Sequence, residues 1–337
     1  ASDYKPVSKM VYVIAFAVFV LLAIPTIAHL QSIDLSSAAS KEYTVLSVAM
    51  SWLLSAGLAL AIYIVAKWHV KKYKKLWNEI YEIERDVPHL LQSFSTYLSL
   101  NMSVENVIPE VIDDYEKFGS PKHPMAKLLR NIMKNLRTSK KKVMDVVSDT
   151  LKKLNPSSKV SEIFSQVISF SKISQESASK SAKLMRNQTI SLFKLDEYLK
   201  TILSETVSMV NVTGGLLAPL LCATAIIMSL AIVQSLVFIG EELSSIASLG
   251  GNEAITMELV DISQVIPPTV LEVIVGVYLI EIIIILSIFV TNIQVGNDKF
   301  QVYKNIIKNL SGFFIYTLIL FIGFIFMNKF IFEGILG

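Results

Sequence analysis

EIERDVPHLLQSFSTYLSLNMSVENVIPEVIDDY, residues Glu82 to Tyr115, is followed closely by the basic run MAKLLRNIMKNLRTSKKKVMDVV, residues Met125 to Val147. In the first stretch Leu90, Leu91, Phe94, Tyr97 and Leu98 recur at the three-to-four-residue spacing of a buried helical stripe. Ser103 before Val104, Glu105 and Asn106 is an N-cap signal, with Asn101 in the turn ahead of it. The second stretch is an amphipathic, Lys-rich helix. Neither carries a motif that makes or breaks a bond, and neither alternates as a strand does. Together they predict an all-α bundle built to present a surface.

On both sides the chain is apolar. MVYVIAFAVFVLLAIPTIAH (Met10–His29) and Val45–Ala66 each supply the ~20 residues a membrane-spanning helix needs. Lys67 and Trp68 close the second, as expected at an interface, and KWHVKKYKKLW follows with five lysines from Lys67 to Lys75. Downstream, Val207–Ile239 exceeds one span, and Gly214-Gly215 and Pro219 offer a bend near the membrane boundary. Val270–Val290 and Gly312–Met327 are two more candidates.

The predicted fold is therefore an all-α integral membrane protein with five transmembrane helices, at about 10–29, 45–66, 210–239, 269–290 and 312–330. Residues 1–67 hold two of them, 68–206 a cytoplasmic bundle, and 207–337 the other three. An external acidic loop is expected at 240–268 and a cytoplasmic loop at 291–311. Breaks between bundle helices are expected at Gly119-Ser120-Pro121, at Pro124, and at Asn155-Pro156-Ser157-Ser158. The last bundle helix is expected to continue from Lys194 through Ile239.

Composition and charge agree with this division. Of the 337 residues 53% are hydrophobic and 18% charged, and the mean hydropathy is +0.54, too apolar for most soluble proteins. Lys67–Glu205 holds 24 of the 31 Lys+Arg and 16 of the 28 Asp+Glu, a local net of +8. The remainder has 7 basic against 12 acidic residues, a net of −5. Lysines and arginines mark cytoplasmic segments. Lys5 and Lys9, the basic bundle and Lys299–Lys308 fall on one side of five alternating spans, and the acidic 240–268 loop and the C-terminus on the other.

Enzyme signatures are missing: there is no phosphate-binding glycine loop, nucleophile elbow or zinc helix. His29, His69, His89 and His123 are scattered, and Cys222 is the single cysteine, which excludes an intrachain disulfide. The chain is read as a non-enzyme with no cofactor or metal. For the basic surface of Lys127, Arg130, Lys134, Arg137, Lys140, Lys141 and Lys142, three explanations stand: anionic lipid, an acidic protein partner, and nucleic acid. Nucleic acid comes last because no stacking aromatics are interleaved. Glu281, in the middle of the fourth span, is expected to face protein, water or a partner, since a carboxylate there costs on the order of 2.5–3.5 kcal/mol. It is either a neutral or hydrogen-bonded group at a contact between helices, or a functional subunit contact or proton-sensitive site. Glu272, nearer the outer end, is expected to be solvated. The sequons at Asn101, Asn187 and Asn309 fall on the cytoplasmic side, where glycosylation is not expected.

ERDVPHLLQSFSTYLSLNMSVENVIPEV resembles the entry helices of the platform proteins of type IV filament and type II secretion machines. In that family a Leu/Val-Pro opens an apolar helix, followed by a small turn residue and Ser-hydrophobic. Pro88, Asn101 and Ser103 occupy those positions here. KKVMDVVSDTLKKLNPSSKVSEIFSQVI is similar to the second hairpin. GGLLAPLLCATAIIMSL and VTNIQVGNDKFQVYKNIIKNL, the latter with Gly296 and Asp298 in its Gly-x-Asp loop, resemble the archaeal branch, which includes archaellum and pilus platforms. Ser174-Gln175-Glu176-Ser177 departs from the family's glycine turn, and one bundle stands where archaeal members have two. The resemblance implies either the C-terminal half of a longer protein or a single-domain relative like those of tight-adherence pili.

The resemblance implies a cytoplasmic-membrane platform that docks a hexameric secretion ATPase and couples its motion to the insertion of pilin or archaellin subunits. It also implies a homodimer or higher oligomer and no nucleic acid. Continuity of the helix from Lys194 to Ile239 would carry the motion. The competing class is a membrane transporter or channel with a regulatory cytoplasmic helical domain, for which Glu281 would line a pathway.

Overall fold

Apolar side chains recurring every three to four positions make helices throughout the chain. The computed structural model describes residues 8–33, 44–118, 123–138, 143–154, 158–250 and 266–329, and no strand occurs among them. The helices are α1 (Lys9–Ser32), α2 (Val45–Ser99), α3 (Val104–Phe118), α4 (Pro124–Thr138), α5 (Val143–Leu154), α6 (Ser158–Ser171), α7 (Gln175–Val212), α8 (Ala218–Gly250), α9 (Pro268–Val295) and α10 (Lys299–Met327). A π-helical turn, Thr213–Leu217, joins α7 to α8. Five helical stretches are long and apolar enough to cross a membrane: α1, α2, Gln175–Gly240, α9 and α10. The chain divides into two compact units, one holding Tyr73–Ile202 and the other Pro6–Lys72 with Leu203–Gly337.

The first unit is a bundle formed by the second half of α2, α3 to α6, and most of α7. Its core joins Leu90, Leu91, Phe94 and Leu98 of α2 to Val107, Ile108 and Val111 of α3, Leu129 and Ile132 of α4, and Phe164 and Val167 of α6. The predicted α2 stripe is buried except for Tyr97, which packs partly buried against that core and donates its hydroxyl to Asp114 at 2.9 and 3.0 Å. Small residues bring α2 and α7 together. Ser95 Oγ donates to the Ser179 carbonyl at 3.1 Å, and Ser179 Oγ returns a bond to the Ser95 carbonyl at 2.8 Å, with Ala178 and Ala182 wholly buried beside them. Leu129 is fully enclosed. Leu129→Ala is expected to lower unfolding stability by about 2–5 kcal/mol, measured by thermal or denaturant unfolding of the intact chain.

The turn from α2 to α3 carries the one positive φ of a non-glycine residue among the described residues, Asn101 at 60°, a conformation Asn tolerates better than most. The Ser103 carbonyl then accepts from the Asn106 and Val107 amides at 2.9 Å, in the N-cap position the sequence indicates. Pro88 differs from expectation. It opens no helix but lies inside α2, flanked by Val87, Leu90 and Leu91, each 2% exposed. Dense packing on both sides holds the helix where proline removes a backbone bond. The departure at Ser174-Gln175-Glu176-Ser177 is a helix start: Ser174 Oγ accepts from the Ser177 amide at 3.0 Å, capping α7.

Tyr115 of α3 donates its hydroxyl to Asp86 of α2. Burial, then that bond to a carboxylate, raises the phenol above its ordinary range. A raised value in the folded state means stability that is complete below the free phenol's ~10 and is lost as the pH climbs beyond it. Wild-type protein is therefore expected to lose stability in alkali more steeply than Tyr115→Phe, as followed by circular dichroism against pH.

The second unit packs α10 against α8 and α9, with the first half of α2 alongside. Tyr316, Leu320 and Phe324 of α10 meet Ile226 and Leu230 of α8, and Leu279, Ile280 and Ile283 of α9. Polar side chains tie α9 to α10: Asn309 Nδ2 donates to Ser287 Oγ and Asn305 Nδ2 to Thr291 Oγ1, each at 3.0 Å. Asn309 is thereby a buried helix contact. Trp52 Nε1 donates to Thr317 Oγ1 at 3.0 Å while its ring meets Phe321 edge-on.

Three boundaries differ from the sequence reading. The expected 291–311 loop is a tight turn, because α9 runs to Val295 and α10 starts at Lys299. Gly296 at φ 76° ends the one helix, and Asp298 caps the next by accepting from the Phe300 amide at 2.9 Å. The helix expected to end near Ile239 continues to Gly250, beyond which 251–265 of the acidic loop lie outside the described residues. Gly214-Gly215 sit in the π turn, so the helical path does not break there. The expected breaks at Gly119-Ser120-Pro121 and Asn155-Pro156-Ser157 also lie outside the described residues.

Candidate functional site: a cation-rimmed groove

The basic surface resolves into a groove between α3 and α4. His123 precedes α4 and its Nδ1 accepts from the Met125 amide at 3.3 Å. Pro124 in the first position fits a helix start, where no amide proton is needed. From there Met125, Ala126, Leu128, Leu129 and Ile132 turn into the core. That leaves Lys127, Arg130, Lys134 and Arg137 exposed on the opposite side, three or four residues apart and so on one helical face.

These four cations are not equivalent. Lys127 Nζ lies 3.7 Å from Glu79, and Arg130 Nε 3.4 Å from Glu116, so both are engaged at least in part. Among the described residues no acidic side chain pairs with Lys134 or Arg137. Arg130, Lys134 and Arg137, with Thr138, line a groove whose apolar walls are Pro109 and Ile112 of α3 and Met133 of α4. Asn135 on the far side of α4 donates to Thr150 Oγ1 of α5 at 2.8 Å, which fixes the helix's rotation. Beside the groove, Asp113 holds Lys117 at 2.5 Å, and that bond raises the lysine above its ordinary range. The cations open to a ligand are thus concentrated at the far end of α4.

Such a groove can seat an acidic segment with one apolar side chain: a carboxylate pair reaches Lys134 and Arg137, and the anchor rests on Ile112 and Met133. Lys140, Lys141 and Lys142 lie outside the described residues. The apolar walls were absent from the sequence reading, and the spacing of Met133 from the α4 cations was the available signal.

The other predicted site residues lie elsewhere. Pro88 is inside α2, and Asn101 and Ser103 form the α2–α3 turn. In the second unit Gly296 and Asp298 form the α9–α10 turn, and Glu281 is exposed on α9. The hydrogen-bonded helix contact expected of Glu281 is therefore not formed among the described residues. Glu272, expected to be solvated, is wholly buried instead. Nine residues at 100° each place the two carboxylates on opposite faces of α9, and the face turned inward is that of Glu272.

No family matches. Neither a protein-family model, nor a curated protein, nor a solved structure is similar to the chain.

Proposed function

We propose that the protein is a platform of the cytoplasmic membrane, whose bundle docks an acidic surface of a filament-assembly or secretion ATPase and passes its movement to subunits inserted from the bilayer. The observation that carries the reading is the groove: cations on α4, two of them with no acidic partner among the described residues, beside an apolar floor. Five helices of spanning length and composition support a multi-pass arrangement. The Lys/Arg distribution supports an orientation with the N-terminus and the bundle in the cytoplasm. α2 and α7 each begin in one unit and end in the other, which supports a coupling role. Pilin-like subunits, the bilayer and a second copy of the chain are the remaining partners in this reading.

The test places a photo-crosslinking amino acid at Met133 in the full chain, in cells that also express the secretion ATPase. A crosslink to the ATPase, lost when the crosslinker is moved to exposed Lys180 on α7, is the expected result. Crosslinks to lipid alone at both positions would remove the platform reading. The transporter or channel reading draws on a different observation, the buried carboxylate Glu272. Its test is uptake of a labelled cation into proteoliposomes.

A further inference from the structure

The outward side of α9 carries a carboxylate that neither the groove nor the chain's own packing uses. Glu281 is exposed at mid-span, and no hydrogen bond or ion pair reaches it among the described residues. Nine residues separate it from Val290 and eleven from Val270. At 1.5 Å per residue, roughly 14 Å or more of apolar helix lies on either side. A glutamate side chain is too short to reach the headgroups over that distance, and a carboxylate left against lipid is costly.

The residues around Glu281 form an ordered row. Ile274, Tyr278, Ile285 and Ile288 are 56%, 57%, 63% and 41% exposed. With Glu281 and Asn292, also exposed, they follow one another at intervals of four, three, four, three and four residues. That is the spacing of a seam along which two helices pair, in membranes as in water. The other side of α9, with Leu279, Ile280 and Ile283, is taken up by the core of the unit. From Val270 to Val295 every exposed side chain that bears a polar group, Tyr278, Glu281 or Asn292, lies on the seam.

The occupant follows from self-complementarity. Copies of one chain enter a bilayer in one orientation, because the Lys/Arg asymmetry that orients them is the same. A twofold axis along the membrane normal then sets two α9 helices parallel and level, so each seam residue meets its own counterpart. Glu281 faces Glu281, and Asn292 faces Asn292. Two carboxyl groups hydrogen-bond to each other when they hold one proton between them, and a pair of asparagine amides both donates and accepts. A second copy brings no cation to this depth, since residues 10–29, 45–66, 210–239, 269–290 and 312–327 include no Lys or Arg. Like therefore meets like at both polar positions. We propose that the outward seam of α9 is the contact between two copies of this chain, with Glu281 of one copy bonded to Glu281 of the other. The inference rests on the multi-pass arrangement of the proposed function and is independent of the groove and its ATPase.

The experiment introduces one cysteine at a time into a full-length Cys222→Ala chain, Cys222 being the single cysteine, and oxidises cell membranes that contain it. Ile285→Cys, on the seam, is expected to give a disulfide-linked product of twice the chain's mass. Ile284→Cys, which packs against the chain's own core, is expected to give about tenfold less, because its sulfur points away from the partner. Energy transfer between labelled copies, followed as proteoliposomes are diluted with lipid, measures the strength of the contact. Glu281→Leu should weaken dimerisation about tenfold, whereas Glu281→Gln, whose amides also pair, should stay within about threefold. A carbonate wash of the membranes separates two kinds of failure. A chain released by the wash is not multi-pass, and the proposed function falls together with the dimer contact. A chain that stays in the bilayer overturns the dimer contact alone if it is monomeric, crosslinks equally at both positions, gives a product of any other mass, or dimerises unchanged with Glu281→Leu.

Discussion

Reversing Lys134 and Arg137 together to glutamate is expected, on the proposed docking of a secretion ATPase at the groove, to weaken that binding about a hundredfold. Each reversal replaces an attraction at the groove rim with a repulsion. A loss of about 1.4 kcal/mol per position, tenfold each, is modest for charges beside an apolar floor. Both side chains point away from the bundle core, so stability should change by less than about 0.5 kcal/mol, which separates a binding defect from unfolding. Lys127→Gln is the matched control. That lysine already faces Glu79 at 3.7 Å, so the expected change is within about threefold, in line with exposed pairs of this kind. Binding measured by light scattering or surface resonance with the chain in nanodiscs should also weaken with added salt in the wild type. The double reversal should have lost most of that salt dependence. Equal affinity of wild type and double variant would show that α4 is not the docking face.

Much of this architecture was legible because periodicity reports burial directly. The stripe of Leu90, Leu91, Phe94 and Leu98 occupies core positions, with Tyr97 partly buried against them. Asn101 advertises the backbone it adopts. Three things were hidden. Pro88 reads locally as a helix boundary, and only packing from other helices makes it an interior residue. The Thr291–Ser311 stretch reads as a loop because lysines interrupt it, although charged residues are ordinary on a helix that extends past an apolar segment. The third is the rotation of α9. A helix apolar on every side has no stripe to show which face turns inward, so hydropathy chose the mid-span Glu281 over Glu272. Packing of Ser51 and Ser55 against Glu272 and Gly276 decides the rotation, and the two pairs are 221 residues apart in sequence. In the groove the cations were legible, but Pro109, Ile112 and Met133 as a shared floor depend on α3 and α4 lying side by side.

The same dependence on close approach makes Gly312→Ala a costly addition of a single methyl group. A Cβ at Gly312 would stand 2.7 Å from the carbonyl oxygen of Gly215 and 2.9 Å from Pro219 Cγ. A backbone oxygen in a helical turn and a proline ring have nowhere to go, so α10 must move off the π turn that joins α7 to α8. Overpacking of this sort costs about 1–3 kcal/mol, here against the gain of up to about 1 kcal/mol that Ala ordinarily brings to a helix. Gly215→Ala is the informative partner, because a Cβ at Gly215 meets nothing within 4 Å. That variant should be neutral or slightly stabilising. Opposite signs for two glycines in one contact, measured as unfolding midpoints of the intact chain, would establish that Gly215 contributes its carbonyl and Gly312 its missing side chain. If Gly312→Ala leaves the midpoint unchanged, α10 does not pack this tightly on the π turn.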